Sequence, residues 1–364
     1  MAISEDGKKR LDRKVNQVSA VLLPLLEVGG IAYTSYVLVY LVCVQYLMKP
    51  SPGFGLEARN ATGVTLIVIY CVILLGFAVT FLRLLQVIWV DPGLVSRGDP
   101  ASEKKTAPMD YFDRFEAYIC DHEGYPTWCW DCHNWKPDRA HHSSQLNRCV
   151  KRMDHFCPYA GGMIAERSHK FFVQFCFYGF LYTGYVLIVM AVFLAERAEK
   201  LDSTPGTWVA ATALGGIFFL FAFGMFCTTC YNMALNYTTI EALQRDGTYN
   251  IAVLKTAAPS ATIASAGKAN IVYEFERPPL RSYVVLETER GQNPWDRGAL
   301  RNVKDIMGES VWHWFSWKMS PCTAHNDPRG EYIWGPAVSR LIEEHGAASA
   351  RRRRRRGSRR SSEA

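Results

Sequence analysis

Between Cys129 and Phe172 the chain concentrates residues that bind metals and attack carbonyls. Cys129 and Cys132 form a Cys-x2-Cys knuckle, and His142 and Cys149 follow within seventeen residues. These are the sulfur and nitrogen donors that tetrahedral zinc prefers, and four protein ligands make a closed, structural site. Reduced thiols in a packed core are the alternative reading, but polar loops seldom bring Cys, Cys, His and Cys so close without a metal. His133, His141, Cys120 and His122 stand near enough to compete as ligands, and spacing alone does not separate them.

A further cysteine, Cys157, ends the run Asp154-His155-Phe156-Cys157 and is the candidate nucleophile. A thiolate is the attacking species, and an ordinary thiol with a pKa near 8.5 needs a neighbouring base or cation to ionise at neutral pH. In an extended segment residues i and i+2 share a face, so His155 can serve Cys157, and Asp154 can orient the imidazole if the chain turns there. A zinc-stabilised loop with an incidental Asp-His pair is the other reading of the spacing.

The whole stretch resembles the cysteine-rich domain of the DHHC protein S-acyltransferases, the palmitoyltransferases, in a variant DHFC form of fungal type. The residues that carry the likeness are Cys129-x2-Cys132, Lys136-Pro137-x-Arg139, His142, Cys149, Asp154-His155-x-Cys157-Pro158 and Phe172. Outside it stand Asp91-Pro92-Gly93, Thr238-Thr239-Ile240-Glu241, and Asn293-Pro294-Trp295-Asp296 with Asn302. The resemblance implies a catalytic set of Asp154, His155 and Cys157, and it supports binding of acyl-CoA phosphates by Lys136, Arg139 and His141. A solvated basic face is the plain alternative for those three. Members of the family usually hold two zinc ions, but the ligands of the second correspond here to Ser143, Leu146, Phe156 and Met163, none of which coordinates zinc well. One zinc per chain is therefore expected, with Leu146, Phe156 and Met163 expected to pack together in place of the metal. Ser168 and Tyr159 also depart from the usual Asn and Trp.

Long apolar segments position this chemistry. The 364 residues are 49% hydrophobic with a net charge of +7, averages that would suit a soluble protein. Their distribution does not: residues 28–47, 63–82, 171–194 and 208–227 run apolar and uncharged. Each is long enough to cross about 30 Å of hydrocarbon as a helix. The expected fold is an α-helical polytopic membrane protein with four transmembrane helices and a cytosolic zinc-binding cysteine-rich domain between spans 2 and 3. Lys and Arg crowd the N-terminus and the segment between spans 2 and 3, including Arg83, Arg97, Lys104, Lys105, Arg148, Lys151 and Arg152, which places both termini and the zinc segment in the cytosol. A reducing compartment also keeps Cys157 and the zinc thiols free. No removable signal peptide is expected. The sequon at Asn60 lies too near the membrane to be used.

The expected layout is a cytosolic segment 1–27, spans 1 and 2 over 28–89, and a cytosolic segment 90–170 carrying the cysteine-rich domain at 127–172. Spans 3 and 4 follow over 171–231, then a cytosolic region 232–350 and a disordered Arg-rich tail 351–364. Within the C-terminal region, Thr238-x-x-Glu241 fits a helix capping box, residues 257–269 read as a linker, and Ile271–Phe275 with Tyr283–Leu286 read as a hairpin about Pro278-Pro279. Trp312, Trp314, Phe315 and Trp317 suit either a membrane surface or an aromatic core. The arginine tail suits anionic lipid. A nucleic-acid role does not fit four membrane spans.

The reading that follows is an S-acyltransferase that moves a fatty acyl group from palmitoyl-CoA or another long-chain acyl-CoA, through Cys157, to cysteine-containing membrane-associated proteins. The rival is a catalytically silent, zinc-stabilised membrane adapter. Metal transport finds no paired ionisable residues within the spans, Glu27 being isolated at one edge.

Overall fold

The fold is described from a computed structural model covering residues 5–104, 107–255, 270–277, 281–321 and 332–345. The arginine tail, the linker 257–269, Pro278-Pro279 and Lys105 lie outside the described residues. The chain forms two compact units, one of residues 1–92, 156–231 and 307–320, the other of residues 93–155, 232–306 and 321–364.

The first unit is helical. Helix α1 (Glu5–Ser35) passes at Tyr36–Met48 into a stretch wound to the wider π geometry, and α2 (Asn60–Val90), α3 (His169–Leu201) and α4 (Gly206–Ala234) complete the four apolar helices. Segments long and apolar enough to cross a membrane run over Arg10–Met48, Asn60–Val90, His169–Leu201 and Gly206–Ala234. Each outruns the apolar stretch expected from sequence, because polar flanks continue the helical hydrogen bonding; from Glu5 the basic N-terminal segment is the first part of α1. Toward one end, Val37, Leu38, Tyr46, Tyr182, Val186 and Trp208 form a core. There Glu196 accepts from Arg59 at 2.9 and 2.5 Å and from Tyr46 at 3.0 Å. Toward the other end, Leu84, Val87 and Ile88 of α2 meet Phe171, Phe172 and Cys176 of α3. Between them α2 and α3 approach so closely that a Cβ on Gly76 would lie 2.4 Å from the Tyr178 ring. Residues 307–320 dock on α3, where Lys170 donates to Ser316 and the Lys318 carbonyl and Gln174 donates to the Trp314 and Ser316 carbonyls. Trp312 and Trp317 on this segment are exposed, and Trp314 bonds the Gly308 carbonyl.

The second unit is built on strands. β1 (Ala117–Cys120), β8 (Asn250–Lys255), β10 (Arg281–Glu287) and β9 (Asn270–Arg277) form one antiparallel sheet in the order β1-β8-β10-β9. The expected hairpin is its β9–β10 edge. Side chains alternate across the sheet as strand geometry requires. Ala252, Tyr283 and Val285 join Phe112, Tyr118, Trp128 and Trp135 on one face. Ile251, Val253, Val284 and Leu286 meet Val338 of the C-terminal helix Pro336–His345 on the other. Short hairpins carry the cysteine-rich segment: β2 (Trp128–Cys129) with β3 (Asn134–Trp135), and β4 (His141–Ser143) with β5 (Arg148–Val150). The chain after Asp91-Pro92 joins the second hairpin, Gly93 accepting from Lys151 and Val95 donating to the Cys149 carbonyl.

A short helix, α5 (Thr239–Leu243), begins on the expected capping box, with Thr238 Oγ1 accepting from Glu241 N and Glu241 Oε2 from Thr238 N. Glu241 is buried and faces Arg139, whose Nε and Nη2 donate to its carboxylate at 2.8 and 2.6 Å. Arg139 also donates to the side chain and carbonyl of Asn236 and lies 4.6 Å from the Trp295 ring centre. Asn236 in turn donates to the Trp295 carbonyl, while Asn293 and Asn302 donate to the carbonyls of Leu235 and Ala234. Trp295 thus packs on the Arg139 guanidinium, and Asn302 caps the chain end at Ala234.

Burial on its own would raise the Glu241 pKa, but Arg139 outweighs it and holds the carboxyl below its ordinary range. The pair therefore stabilises the fold above the unfolded carboxylate pKa of about 4.3, and that contribution is lost as pH falls through the lower folded value. Arg139→Met leaves a buried carboxylate unpaired and is expected to cost ~3–5 kcal/mol, read as a lower thermal midpoint in detergent. Adding Glu241→Gln is expected to restore most of the loss, since the amide keeps the cap acceptor without the charge.

Candidate functional site

The knuckles bring the four expected metal ligands together. Cys129, Cys132, His142 and Cys149 present ligand atoms all within 4.8 Å of one another. Cys129 lies in β2, Cys132 in the turn after it, and His142 and Cys149 are directly paired across the β4–β5 hairpin. His142 Nδ1 is 3.4 Å from the sulfurs of Cys129 and Cys132 and 4.0 Å from that of Cys149. Ligands about 2.0–2.3 Å from a tetrahedral zinc lie at such separations from one another. Asp131 approaches the other imidazole nitrogen at 3.7 Å, the side from which carboxylates commonly orient a metal-bound histidine. Burial, then Cys129 and Cys132, push the Cys149 thiol pKa up. A divalent cation reverses that effect by binding the thiolates, so the donor set fits zinc. His133, His141, Cys120 and His122 do not join this group.

The four positions expected to replace a second metal site fall in both units. Ser143 is buried, and its hydroxyl accepts from Leu146 N at 3.2 Å and donates to Gln145 Oε1 at 3.1 Å. Met163 is buried in β7 (Gly162–Ile164), while Leu146 and Phe156 are half-buried.

Asp154 and His155 form the expected pair, with Asp154 Oδ2 2.5 Å from His155 Nδ1. Asp154 is held from the other side by α5, its Oδ1 accepting from Thr239 N at 3.0 Å and its Oδ2 from Thr239 Oγ1 at 2.9 Å. A carboxylate accepting at Nδ1 fixes that nitrogen as the protonated one and leaves Nε2 as the basic atom. Thr239 is thus a positioning residue; the capping motif signals the helix start, but nothing in its spacing identifies Asp154 as its partner. Strand β6 (His155–Cys157) carries the imidazole and the thiol two residues apart.

Cys157 packs with Leu84, Ile88, Phe172 and Cys176 and lines a cavity of about 260 Å³ whose wall draws on α1, α3 and α4 and on Phe77 of α2. The cavity reaches Thr34 and Tyr182, whose hydroxyls are 2.7 Å apart, and Val186. From Phe172 to Val186 helix α3 rises roughly 21 Å. Apolar side chains dominate its wall, with Phe175, Phe218 and Phe221 among them, and Glu27 is the one carboxyl in it. Sequence periodicity did not locate this cavity, because its wall draws on faces of separate helices.

Of the residues expected to meet phosphate, Lys136 and His141 are half-buried. Arg139 requires a correction: its guanidinium is buried and occupied by Glu241 and Asn236, which leaves it a structural role.

Gly98 backs the first knuckle, its N–H donating to the Cys132 carbonyl, and a Cβ there would sit 1.8 Å from the His133 carbonyl oxygen. Gly98→Ala is therefore expected to displace the Cys132 turn and lower the zinc content of purified protein relative to the native chain, as read by elemental analysis.

The family model described as DHHC palmitoyltransferase matches residues 122–246. The chain is 29% identical to palmitoyltransferase pfa5 of Aspergillus fumigatus, with 93% of each chain covered. It is 27% identical to palmitoyltransferase pfa5 of Emericella nidulans over 92% of this chain and 87% of that one. Against palmitoyltransferase PFA5 of Saccharomyces cerevisiae it is 26% identical over 80% and 78%. The matched region spans the metal-ligand tetrad, the Asp154–His155 pair and Cys157, so residues 122–246 form a DHHC palmitoyltransferase domain and the chain is a protein S-acyltransferase.

Proposed function

We propose that Cys157, His155 and Asp154 carry the transfer in two thioester exchanges. Nε2 of His155 takes the Cys157 proton, and the thiolate attacks the thioester carbonyl carbon of a long-chain acyl-CoA. Coenzyme A leaves as a thiolate and recovers that proton from His155. An acyl thioester remains on Cys157. A protein cysteine then gives its proton to His155 and attacks the same carbonyl carbon; Cys157 leaves as the thiolate and is reprotonated. Asp154, itself braced by Thr239, keeps the basic nitrogen free.

The observation that carries this reading is Cys157 lining an apolar cavity within the membrane-length helices. An acyl chain placed there gains about 0.8 kcal/mol per buried methylene, while the coenzyme's phosphates stay in water. Lys136 and His141 are the groups assigned to those phosphates. A silent adapter has no comparable use for such a cavity, and the family's catalytic residues are intact in this chain. Both termini and the zinc segment are assigned to the cytosol on the Lys and Arg distribution, and the acceptors are cysteines of proteins at that membrane surface. Cys129, Cys132, His142 and Cys149 hold a single structural zinc, which when bound supplies folding energy on the order of 10 kcal/mol and no chemistry at Cys157.

Purified protein given labelled palmitoyl-CoA is expected to acquire hydroxylamine-labile label at Cys157. Cys157→Ser should acquire none there, and His155→Ala should form the acyl-enzyme at least about 10²-fold more slowly. Native protein without label at Cys157 would end the proposal. Elemental analysis should find close to one zinc per chain; a value close to two would refute the single-metal assignment.

A further inference from the structure

Two cysteines outside the catalytic set lie at the end of α4, Cys227 exposed and Cys230 partly so. Their level in the membrane unit is fixed by their neighbours, since Met225 and Phe226 pack against the cluster that contains Cys157. The helix also changes character here: after Phe226 the sequence is Cys227-Thr228-Thr229-Cys230-Tyr231-Asn232, so these thiols sit where an apolar span turns polar. They therefore share the depth of the nucleophile, the level at which an acyl thioester on Cys157 is presented.

Cys227 points the opposite way, and Cys230 lies roughly 135° around the helix from the cavity face. Leu214, Phe218, Phe221, Ala222 and Met225 line the cavity. At 3.6 residues per turn these positions centre on one face, and Cys227 falls roughly 190° around the helix from it. The body of α4 thus separates Cys227 from Cys157 of the same molecule. A third cysteine supplies a comparison: Cys71 is also exposed, on α2, but it precedes Leu84 and Ile88 of the Cys157 cluster by 13 and 17 residues. That places it roughly 20–25 Å away along the helix axis, deep in the apolar span.

We propose that Cys227 and Cys230 are S-acylation sites, charged by the acyl-enzyme of a second copy of this chain; the inference rests on the acyltransferase reading of Cys157. In the step, the Cys227 or Cys230 thiolate attacks the carbonyl carbon of the acyl group on the second copy's nucleophilic cysteine. The thioester bond to that cysteine breaks, its sulfur leaves as the thiolate and takes up the proton the attacking thiol lost. One thioester replaces another, with no external reductant or oxidant.

The test combines native protein with an epitope-tagged Cys157→Ser chain in mixed detergent–lipid micelles, adds alkyne-labelled palmitoyl-CoA, and maps hydroxylamine-labile label on each chain by mass spectrometry. Native protein is expected to carry label on Cys157 and on Cys227 or Cys230, and none on Cys71. The tagged chain should be unlabelled alone and labelled at Cys227 or Cys230 when native protein is present. A Cys227→Ser/Cys230→Ser chain should keep its Cys157 label and lose the rest. Label confined to Cys157 would overturn the proposal while leaving the acyltransferase reading intact, as would label on Cys227 of the tagged chain alone, or equal label on Cys71, both marks of uncatalysed acylation. Absence of label from Cys157 itself would remove both.

Discussion

The buried pairing of Arg139 with Glu241 is the contact on which the arrangement of the second unit depends. One guanidinium joins the loop that follows the first zinc knuckle to the start of α5, and through Asn236 and Trp295 to the segment beginning at Asn293. Three stretches far apart in sequence are held by groups that must all be present, because a buried charge left without its partner costs several kcal/mol. The consequence reaches the chemistry. Helix α5 fixed by Glu241 is the helix whose Thr239 grips Asp154, and Asp154 sets the tautomer of His155. A guanidinium suits this place where an ammonium would not, since its planar fork serves a carboxylate, an amide oxygen and a carbonyl together.

Around that contact the first knuckle hairpin packs Trp128 and Trp135 into the core of the sheet, while the metal-ligand end of the segment has little apolar material of its own. Its strands are two or three residues long, and such hairpins are not stable alone. The ligand tetrad closes them. Val95, Ala140 and the ligand cysteines form only a small apolar cluster, so metal coordination takes the part that a core plays elsewhere. The adjoining four-stranded sheet is the contrary case, with aromatic and aliphatic faces that need no metal.

What the sequence made legible follows from the range of the interactions involved. The tetrad, the capping box, the β9–β10 hairpin and the apolar centres of the spans are local patterns, and each is found where its residues suggest. The pairing of β1 with β8 joins Ala117 to Val253, a contact for which short-range periodicity has no signal. The helices extend past the apolar stretches, because apolar length marks where hydrocarbon is crossed, whereas the backbone hydrogen bonding of a helix continues through polar flanks. Arg139 is the same kind of case: in sequence it is one of several basic residues, and only the distant Glu241 and Asn236 decide that it is buried. The cavity beside Cys157 is likewise a property of four helices facing one another.

Ser143 and Met163, two of the four positions expected in place of second-metal ligands, sit in different surroundings. Ser143 retains a polar atom, and its buried hydroxyl spans the β4–β5 turn to Gln145 and the Leu146 amide. A hydrogen-bonded turn is thereby closed by side-chain chemistry of its own, with both partners within three residues. Met163 instead contributes a buried, flexible thioether on β7, in the hairpin that bears Cys157. The two environments are local and different in kind, one polar and one apolar. What remains in common is the chain itself, which runs from Ser143 through the Asp154–His155 pair to the nucleophile. Asp154, between those positions in the chain, is held by the backbone and hydroxyl of Thr239 on α5.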